Sequence, residues 1–553
     1  MAALARQEPR SPRQRASSAG AALPVFFARV NNSQPHANSA YLLVMLVTDE
    51  ASNVPLPNQT PSSNEFPVAQ DSRYDPYAMP VDAIQDPPTS FFSAMRMIGP
   101  GIILAGTIVG SGELLLTTAL GAKTGFIFLW LILFSCVIKV FVQIEIGRHA
   151  ISSGQPTLGA LNALSGPRFG AHWLVWWWLF MMLATVFQLG AMTGTVGQSL
   201  NLAFPVVSQN LESSLQSSSW LGSALAKRPE LPWAFLTCII AIGLLWSGSY
   251  KRIEIVTTAI VIGVTLLTVT ATMLLPWTAY PIPWSQVLDG LKFQFPSSDI
   301  QSIAMAFGVF GITGVGATEL FYYPYWCLEK GYARYVGPRD GSSDWNRRAR
   351  GWIGVMYIDA WISMIVFTIS TVSFYFMGAA VLHPQGLDPK GTDMIATLSH
   401  MFVDTFGPWT RIVFLIGAGA VLFKTLYLSC AGNARMTADF LSLTGAVRYR
   451  NFSHRAKWIH RFSLFFPVLA LLLFLLFANP KSMTVVGGFA QAATLPMIAI
   501  TTLYFRYRRI EKALAPSKAW DAMLWIAVVS ITIVATYAVG KSVIDFKEML
   551  MPS

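Results

Sequence analysis

Apolar stretches long enough to cross a bilayer alternate with short polar loops from Ile98 onward. A helix rises about 1.5 Å per residue, so roughly 20 apolar residues are needed for one crossing. The pattern predicts eleven transmembrane helices, called spans 1 to 11 below, at about residues 98–120, 125–148, 172–204, 232–248, 253–275, 300–327, 352–380, 410–432, 459–478, 483–505 and 520–541. The sequence therefore predicts an all-α, multi-pass membrane protein.

Residues 1–95 have a different character from the rest of the chain. Pro, Ser, Asn and Gln are frequent there, and the longest apolar run, YLLVMLV, is too short to span a membrane. We expect residues 1–95 to be a disordered extension or the product of a mis-annotated start, with Met79 or Met95 as the true first residue. The transporter domain is then expected to cover residues 96–548.

Composition and charge support the membrane assignment. The 553 residues are 53% hydrophobic and only 12% charged, which is too apolar for a soluble protein of this size. The net charge of +11 does not indicate nucleic-acid binding, because the basic residues lie in short loops between spans. With the N-terminus inside, the inner loops hold 21 Lys and Arg and the outer loops 9. This bias predicts a cytoplasmic N-terminus, and we expect the plasma (inner) membrane.

Spans 1 and 6 are interrupted in the same way. Span 1 carries Gly110, Gly112 and Glu113 near its middle, and span 6 carries a matching set. The two share the string G-x-x-E-L, and the span 6 set is Gly311, Gly314, Gly316 and Glu319, with Thr318 as a further predicted site residue. Clustered glycines weaken a helix, and a carboxylate in mid-membrane is costly, so both spans are predicted to be discontinuous helices that line a cavity. Close helix packing through small residues is the alternative, but it does not account for the two glutamates.

The spacing of the two interruptions predicts an internal repeat. Four spans separate them, so the repeat unit is five helices, and an odd number of crossings makes the second copy inverted. The repeats are predicted at residues 98–275 and 300–505, with an extra helix at 520–541. Interrupted helices at matching positions of inverted repeats indicate the substrate site of a secondary transporter.

Several strings along the chain resemble one transporter family. They are GPGIILAGTIVGSGE in span 1, QIEIGR in span 2, LGAMTGTVGQSLNLAF in span 3, YKRIEIV before span 5, GVGATE in span 6 and AGNARMTADFL after span 8. Their order and spacing resemble the Nramp family of proton-coupled divalent-metal transporters. The resemblance implies the LeuT-like fold of five plus five inverted helices, with an eleventh helix here.

The site residues depart from the family pattern. Gly110 to Glu113 stand where a typical member has Asp-Pro-Gly-Asn, and Leu320 stands where the family has a Met ligand. In span 3, Gln188 and Ala191 replace the acidic pair associated with proton exit. Glu113, Glu319, Gln188 and the carbonyls freed by the two breaks remain as an all-oxygen set. Oxygen ligands suit hard cations such as Mg²⁺, Ca²⁺ or Mn²⁺, so we expect a divalent metal as substrate, with no cofactor.

Lys424 in span 8 leaves two interpretations open. In the fold implied by the resemblance, span 8 lies against span 1, so the ammonium group could occupy the position of the sodium ion of sodium-driven relatives and pair with Glu113 as a coupling group. Alternatively, the side chain extends to the cytoplasmic interface, because it lies about 13 residues, roughly 20 Å, into the span.

Three other charged positions have simpler interpretations. Lys139 in span 2 is expected to extend to the interface. Glu145 and Arg148, three residues apart, are expected to form a structural pair. Asp359 at the start of span 7 is expected to be a vestibule residue or to be solvated.

Other function classes remain as alternatives. A transporter of the same fold could carry a small organic ion, with Glu113 or Glu319 taking the coupled proton. A membrane enzyme is disfavoured, because the seven His lack ligand spacing and no HExxH, GxSxG or P-loop string is present. A channel is disfavoured by the two interrupted helices. The lipid bilayer is the expected partner, and a monomer is the expected state.

Overall fold

The computed structural model describes residues 75, 77–206, 228–295, 300–389, 394–477 and 480–550. The regular secondary structure of these residues is helical, apart from an antiparallel ribbon between Arg168–Phe169 and Ala171–His172. Each predicted span has a helical counterpart: Pro100–Ile108 with Gly112–Thr124 for span 1, then Leu129–Ser153, Trp173–Ala203, Leu231–Leu245, Tyr250–Leu274, Ile300–Ile312 with Ala317–Lys330 for span 6, Ser343–Met377, Thr410–Leu443, Phe452–Phe477, Pro480–Arg508 and Lys518–Leu550.

Within the described ranges, the number of helices that can cross a membrane is close to the eleven predicted. Nine helices are long and apolar enough to cross a membrane, and the bent pair of span 1 makes ten. Span 4 differs, because its helix Leu231–Leu245 has only 15 residues. At 1.5 Å per residue this helix covers about 22 Å, less than a bilayer core of about 30 Å.

Several spans extend beyond their apolar runs into polar sequence. Span 7 begins at Ser343, where the hydroxyl of Ser342 accepts the N–H of Trp345 at 3.0 Å, and span 8 continues to Leu443. The polar ends are held by contacts to other spans, such as the ion pair of Arg435 with Glu329 at 2.6 Å. Hydropathy detects only the part of a helix that meets lipid, so these extensions were not predicted.

Short elements precede, connect or end the spans. One of them, Met394–Phe406, has 13 residues and was not predicted. The others are the helices Phe91–Met95, Thr157–Asn162, Trp284–Gly290 and Tyr332–Val336, the 3₁₀ turns Val81–Ala83, Leu275–Trp277 and Lys512–Leu514, and the π-helical segment Gly378–Leu382 that ends span 7.

The helices pack around the two interrupted spans. Span 1 lies against spans 5, 7 and 8, and span 3 lies against spans 8, 9 and 10. Spans 2 and 6 are also in contact. The interrupted helices are therefore enclosed by protein, which is where irregular backbone is tolerated at membrane depth.

Part of the predicted disordered extension is ordered. The backbone N–H of Gln85 donates to the carbonyl of Tyr335 at 3.0 Å, and the indole of Trp352 donates to the carbonyl of Gln85 at 2.9 Å. The hydroxyl of Tyr77 donates to Glu329 at 3.0 Å. The prediction of disorder is thus wrong for residues 77–95, because local composition does not reveal long-range partners. The remainder of the extension, except Asp75, lies outside the described residues.

Candidate functional site

Both interruptions lie where the glycine clusters predicted them. In span 1 the helix axis turns by 46° between Pro100–Ile108 and Gly112–Thr124, and Gly112–Thr117 is π-helical. In span 6 the helix stops at Ile312 and restarts at Ala317. Gly314 has a φ of +71°, a left-handed conformation that favours glycine.

Glu113 joins the two interrupted helices. One carboxylate oxygen accepts the backbone N–H of Gly110 in span 1 at 3.2 Å, and the other accepts that of Gly314 in span 6 at 3.2 Å. The side chain is only 1% exposed. A buried carboxylate needs such donors to offset its desolvation, so Glu113 is held in place by the backbone groups that the two breaks release.

Glu319 occupies the corresponding place in span 6. It lies in the first turn of the second half-helix, Ala317–Lys330, where the helix dipole favours a negative charge. A Cβ on Gly316 would lie 2.5 Å from its carboxylate oxygen, so glycine is what leaves space for the carboxylate there. Unlike Glu113, Glu319 is only half-buried.

The two glutamates line one cavity between spans 1, 3, 6, 8 and 10. Its volume is about 40 Å³, counted as the space open to the centres of water molecules. The hydroxyl oxygen of Thr318 is buried in its wall and has no hydrogen-bond partner among the described residues. The polar lining consists of Thr107, Ser111, Glu113, Thr185, Gln188, Thr318, Glu319, Tyr322, Thr425, Ser429, Asn433 and Gln491. The predicted site residues Gly112, Glu113, Gln188, Thr318 and Glu319 are thus brought together. Gly110 and Gly316 flank this set at the two breaks.

Two lining amides were not singled out from the sequence. Gln491 in span 10 donates to the side-chain oxygen of Gln188 in span 3 at 2.9 Å. Asn433 in span 8 is buried in the same lining. Gln491 is an amide in a predicted span without charged residues, which is a signal that could have identified it.

Lys424 lies between spans 8 and 1, in the position that the first of its two interpretations gave it. Its ammonium group is fully buried, so it does not reach the interface. It donates to the carbonyl of Gly106 at 2.9 Å and to that of Val109, at the end of the first half-helix of span 1. Glu113 is not among the hydrogen-bond partners that the structure describes for it. Lys424 therefore caps a helix C-terminus, where a cation is favourable.

Lys139 caps the C-terminal end of the first half-helix of span 6, so the prediction that it extends to the interface is wrong. Its fully buried ammonium group donates to the carbonyls of Phe310 at 2.5 Å and Thr313 at 2.7 Å. The carbonyls at the ends of the first half-helices of spans 1 and 6 were predicted to be ligands, but they are bonded to Lys424 and Lys139. A ligand in the cavity would therefore depend mainly on side-chain oxygens.

Asp359 is neither solvated nor in a vestibule. Its buried carboxylate accepts the backbone N–H groups of Gly99 at 2.9 Å and Gly101 at 2.6 Å. The half-helix Pro100–Ile108 is thus capped by a carboxylate at its start and by the Lys424 ammonium group at its end. Glu145 and Arg148 form the predicted pair at 3.0 Å.

The donors in the cavity are chemically uniform. Two carboxylates and several amide and hydroxyl oxygens face it, and one lining side chain carries sulfur, Met192. Among the described residues there is no group of three or more His, Cys, Asp or Glu that could hold a metal ion. The cavity therefore offers mainly oxygen donors, which are the ligands that hard cations prefer.

The chain matches known proteins in sequence and in fold. The model of the Natural resistance-associated macrophage protein-like family matches residues 101–541. No curated protein is significantly similar. The structure of the Eremococcus coleocola manganese transporter in complex with an aromatic bis-isothiourea substituted compound is 15% identical, with a TM-score of 0.58, covering 84% of this chain and 90% of that chain. Mhp1, a nucleobase-cation-symport-1 family transporter in a closed conformation with bromovinylhydantoin bound, is 13% identical, with a TM-score of 0.51 and coverages of 82% and 94%. These structural likenesses confirm the predicted fold class, a LeuT-like bundle of two inverted five-helix repeats.

Proposed function

We propose, from the premise that this chain belongs to the natural resistance-associated macrophage protein (Nramp) family, that it moves a divalent metal cation across a membrane by alternating access. The observation that carries the proposal is the placement of Glu113 and Glu319 in one cavity at the two helix breaks. Two carboxylates together balance the charge of one divalent cation. Their burial is costly without a partner, and a bound cation supplies one.

The size of the cavity favours a metal ion over an organic solute. A water molecule needs at least about 10–15 Å³ on this measure, so 40 Å³ holds about three waters, or an ion that keeps part of its hydration shell. Pockets for organic ligands are typically about 300–1,000 Å³. The alternative substrate, a small organic ion, is therefore less well supported.

The donor set favours a hard or borderline cation. Carboxylate, amide and hydroxyl oxygens suit Mg²⁺ and Mn²⁺, whereas thiolate and thioether ligands suit softer metals. A manganese transporter shares the fold at low identity, which makes Mn²⁺ the first ion to test. We expect Mg²⁺ to compete with it.

Lys424 supports transport that does not need sodium. Its side chain fills the space between spans 8 and 1, and its nitrogen is bonded to the carbonyls of Gly106 and Val109. With these carbonyls occupied by the lysine, we expect no sodium ion to bind there. Metal uptake should thus be unchanged when external Na⁺ is replaced by choline, while proton coupling would depend on the two glutamates.

The bias of basic residues supports an orientation with the N-terminus in the cytoplasm. In the plasma (inner) membrane this orientation places the loops after spans 6 and 8 in the cytoplasm. The lipid bilayer is the proposed partner, the proposed unit is a monomer, and no enzymatic activity is proposed.

Uptake into vesicles reconstituted with the purified chain tests the proposal. We expect Mn²⁺ uptake that Mg²⁺ inhibits, and at least about a tenfold loss with Glu319→Gln, since a lost charge contact costs about 1.4 kcal/mol or more. The matched control is Asp289→Asn, which alters an exposed carboxylate paired with Lys292. Proton flux driven by an organic solute, without metal uptake, would support the alternative substrate class instead.

A further inference from the structure

A second cleft lies between spans 2, 7 and 11, at the end that the bias of basic residues places in the cytoplasm, apart from the cavity between the interrupted helices. Its volume is about 360 Å³ by the same measure, and it shares no lining residue with the first cavity. Two guanidinium groups, Arg148 and Arg350, face it together with the rings of Tyr357 and Trp520. The cleft is thus large enough for a small ligand and is lined by groups that recognise anions.

Arg350 supplies free hydrogen-bond donors. Its Nε donates to the carbonyl of Ala513 at 2.9 Å, and the side chain is otherwise exposed. Among the contacts described for this chain, its two terminal nitrogens have no acceptor. A guanidinium group fixed at Nε presents those nitrogens as a planar fork, which matches a phosphate group.

Arg148 forms the inner wall. It pairs with Glu145, donates to the carbonyl of Leu514 at 2.9 Å and donates to the hydroxyl of Tyr357. These contacts hold its side chain rigidly at 5% exposure. Since Glu145 neutralises its charge, Arg148 contributes shape and polarity more than net charge.

The mouth of the cleft is positively charged. The neighbouring acidic side chains are paired with arginines: Glu511 with Arg339 and Asp521 with Arg506 at 2.8 Å. Lys512 and Lys518 are exposed in the loop that forms one side of the cleft, and within the described residues neither has an acidic partner. An anion near the cleft therefore meets unbalanced positive charge.

Trp520 indicates the depth of the cleft in the membrane. Its ring lies 4.9 Å from that of Tyr357 and 4.6 Å from that of Phe141, and its indole N–H donates to Glu145 at 2.8 Å. Tryptophan with an apolar body and a paired N–H is typical of the headgroup level. We therefore expect the positively charged mouth at the level of the lipid phosphates.

We propose that this cleft is a binding site for a phosphate ester, with Arg350 as the residue that contacts the phosphate. Basic pockets between transmembrane helices on the cytoplasmic side recognise anionic lipid headgroups in this way. A lipid headgroup and a soluble phosphate share this chemistry, and the experiment distinguishes them. The proposal is independent of metal transport, because none of its residues lines the first cavity.

Binding to the detergent-purified full chain tests the proposal with two probes. Phosphatidic acid, with phosphatidylcholine as reference, is titrated by native mass spectrometry, and inorganic phosphate by calorimetry. Arg350→Gln should weaken binding by about fivefold. Its control is Arg450→Gln, which removes an exposed arginine of the loop after span 8.

A second variant tests the cleft without changing charge. Gly354 lines the cleft, and a Cβ placed on it meets no atom within 4 Å, so Gly354→Leu should fill the space without disturbing the helix. We expect this variant to abolish binding, whereas Gly263→Leu, at another open helical glycine, should not change it.

Binding of the two probes distinguishes the two possible ligands. Arg350-dependent binding of phosphatidic acid alone supports a lipid site, and Arg350-dependent binding of inorganic phosphate supports a soluble phosphate ester. The proposal is overturned if the wild type binds phosphatidic acid no more tightly than phosphatidylcholine and does not bind inorganic phosphate. It is also overturned if Arg350→Gln and Gly354→Leu bind as tightly as wild type.

Discussion

The ammonium group of Lys424 donates to the carbonyl of Gly106 at 2.9 Å, across 318 residues of sequence. This contact joins span 8 to the end of the first half-helix of span 1. It satisfies backbone groups that the break in span 1 would otherwise leave unpaired in the membrane. The interruption of span 1 thus depends on a residue in the other repeat.

Replacing Lys424 by Met should destabilise the protein by about 2 kcal/mol. The change removes a costly buried charge, but it leaves the carbonyls of Gly106 and Val109 without a donor, and each such loss costs about 1–3 kcal/mol. Thermal unfolding of the purified protein measures the effect, with exposed Lys251→Met as the control. Equal stability of the two variants would contradict a capping role for Lys424.

Replacing Asp359 by Asn should cost about 1–3 kcal/mol. The amide can accept only one of the two N–H groups that the carboxylate accepts, those of Gly99 and Gly101, and the favourable charge at the helix start is lost. Chemical denaturation compares it with Asp344→Asn, an exposed carboxylate of the first turn of span 7. The control should change stability by at most about 0.5 kcal/mol, so a similar effect for both would refute the prediction.

Gly314→Ala should lower stability by about 1–2 kcal/mol, because its φ of +71° is unfavourable for any side chain. The new Cβ would also lie 3.2 Å from the Cα of Cys136, which would shift the N–H that binds Glu113. Gly308→Ala is the control, since a Cβ there meets nothing within 4 Å in a helix. It should be neutral or stabilising by up to about 1 kcal/mol. We expect metal uptake to fall in the first variant only.

Met192→Leu should leave Mn²⁺ and Mg²⁺ uptake within about twofold of wild type. Leu conserves the volume of Met, and the oxygen donors of Glu113 and Glu319 remain in the cavity. Uptake in reconstituted vesicles measures the effect, and Met181→Leu, a buried Met of span 3 outside the cavity lining, is the control. Selective loss of uptake in Met192→Leu would show that the thioether is a ligand and that the site prefers softer metals.

Deletion of residues 1–89 should destabilise the protein by roughly 3 kcal/mol, whereas deletion of residues 1–73 should have little effect. The longer deletion removes Tyr77 and Gln85, whose three hydrogen bonds to Glu329, Tyr335 and Trp352 contribute roughly 1 kcal/mol each. Melting temperatures of the two truncated proteins give the comparison. Equal melting temperatures would show that the contacts of Tyr77 and Gln85 do not stabilise the protein.

The sequence alone determined the features that depend on local pattern. Hydropathy located a helix for each predicted span, although the helix of span 4 is shorter than a bilayer crossing, because a helix in lipid must be apolar over a fixed length. The glycine clusters with Glu113 and Glu319 located both breaks and the main carboxylates, because unsatisfied backbone and buried charge are unfavourable in a membrane unless they line a cavity.

Only the tertiary structure decided which groups meet across the bundle. Lys424, Lys139 and Asp359 cap helix ends in other spans, and Gln491 bonds to Gln188 across 303 residues. A single sequence gives depth along a span but not the face or the neighbour of a side chain. Lys139 and Asp359 were therefore interpreted as interfacial or solvated residues, and Lys424 kept two interpretations. The ordered segment from Tyr77 was missed for the same reason, since its stability comes from partners distant in sequence rather than from its own composition.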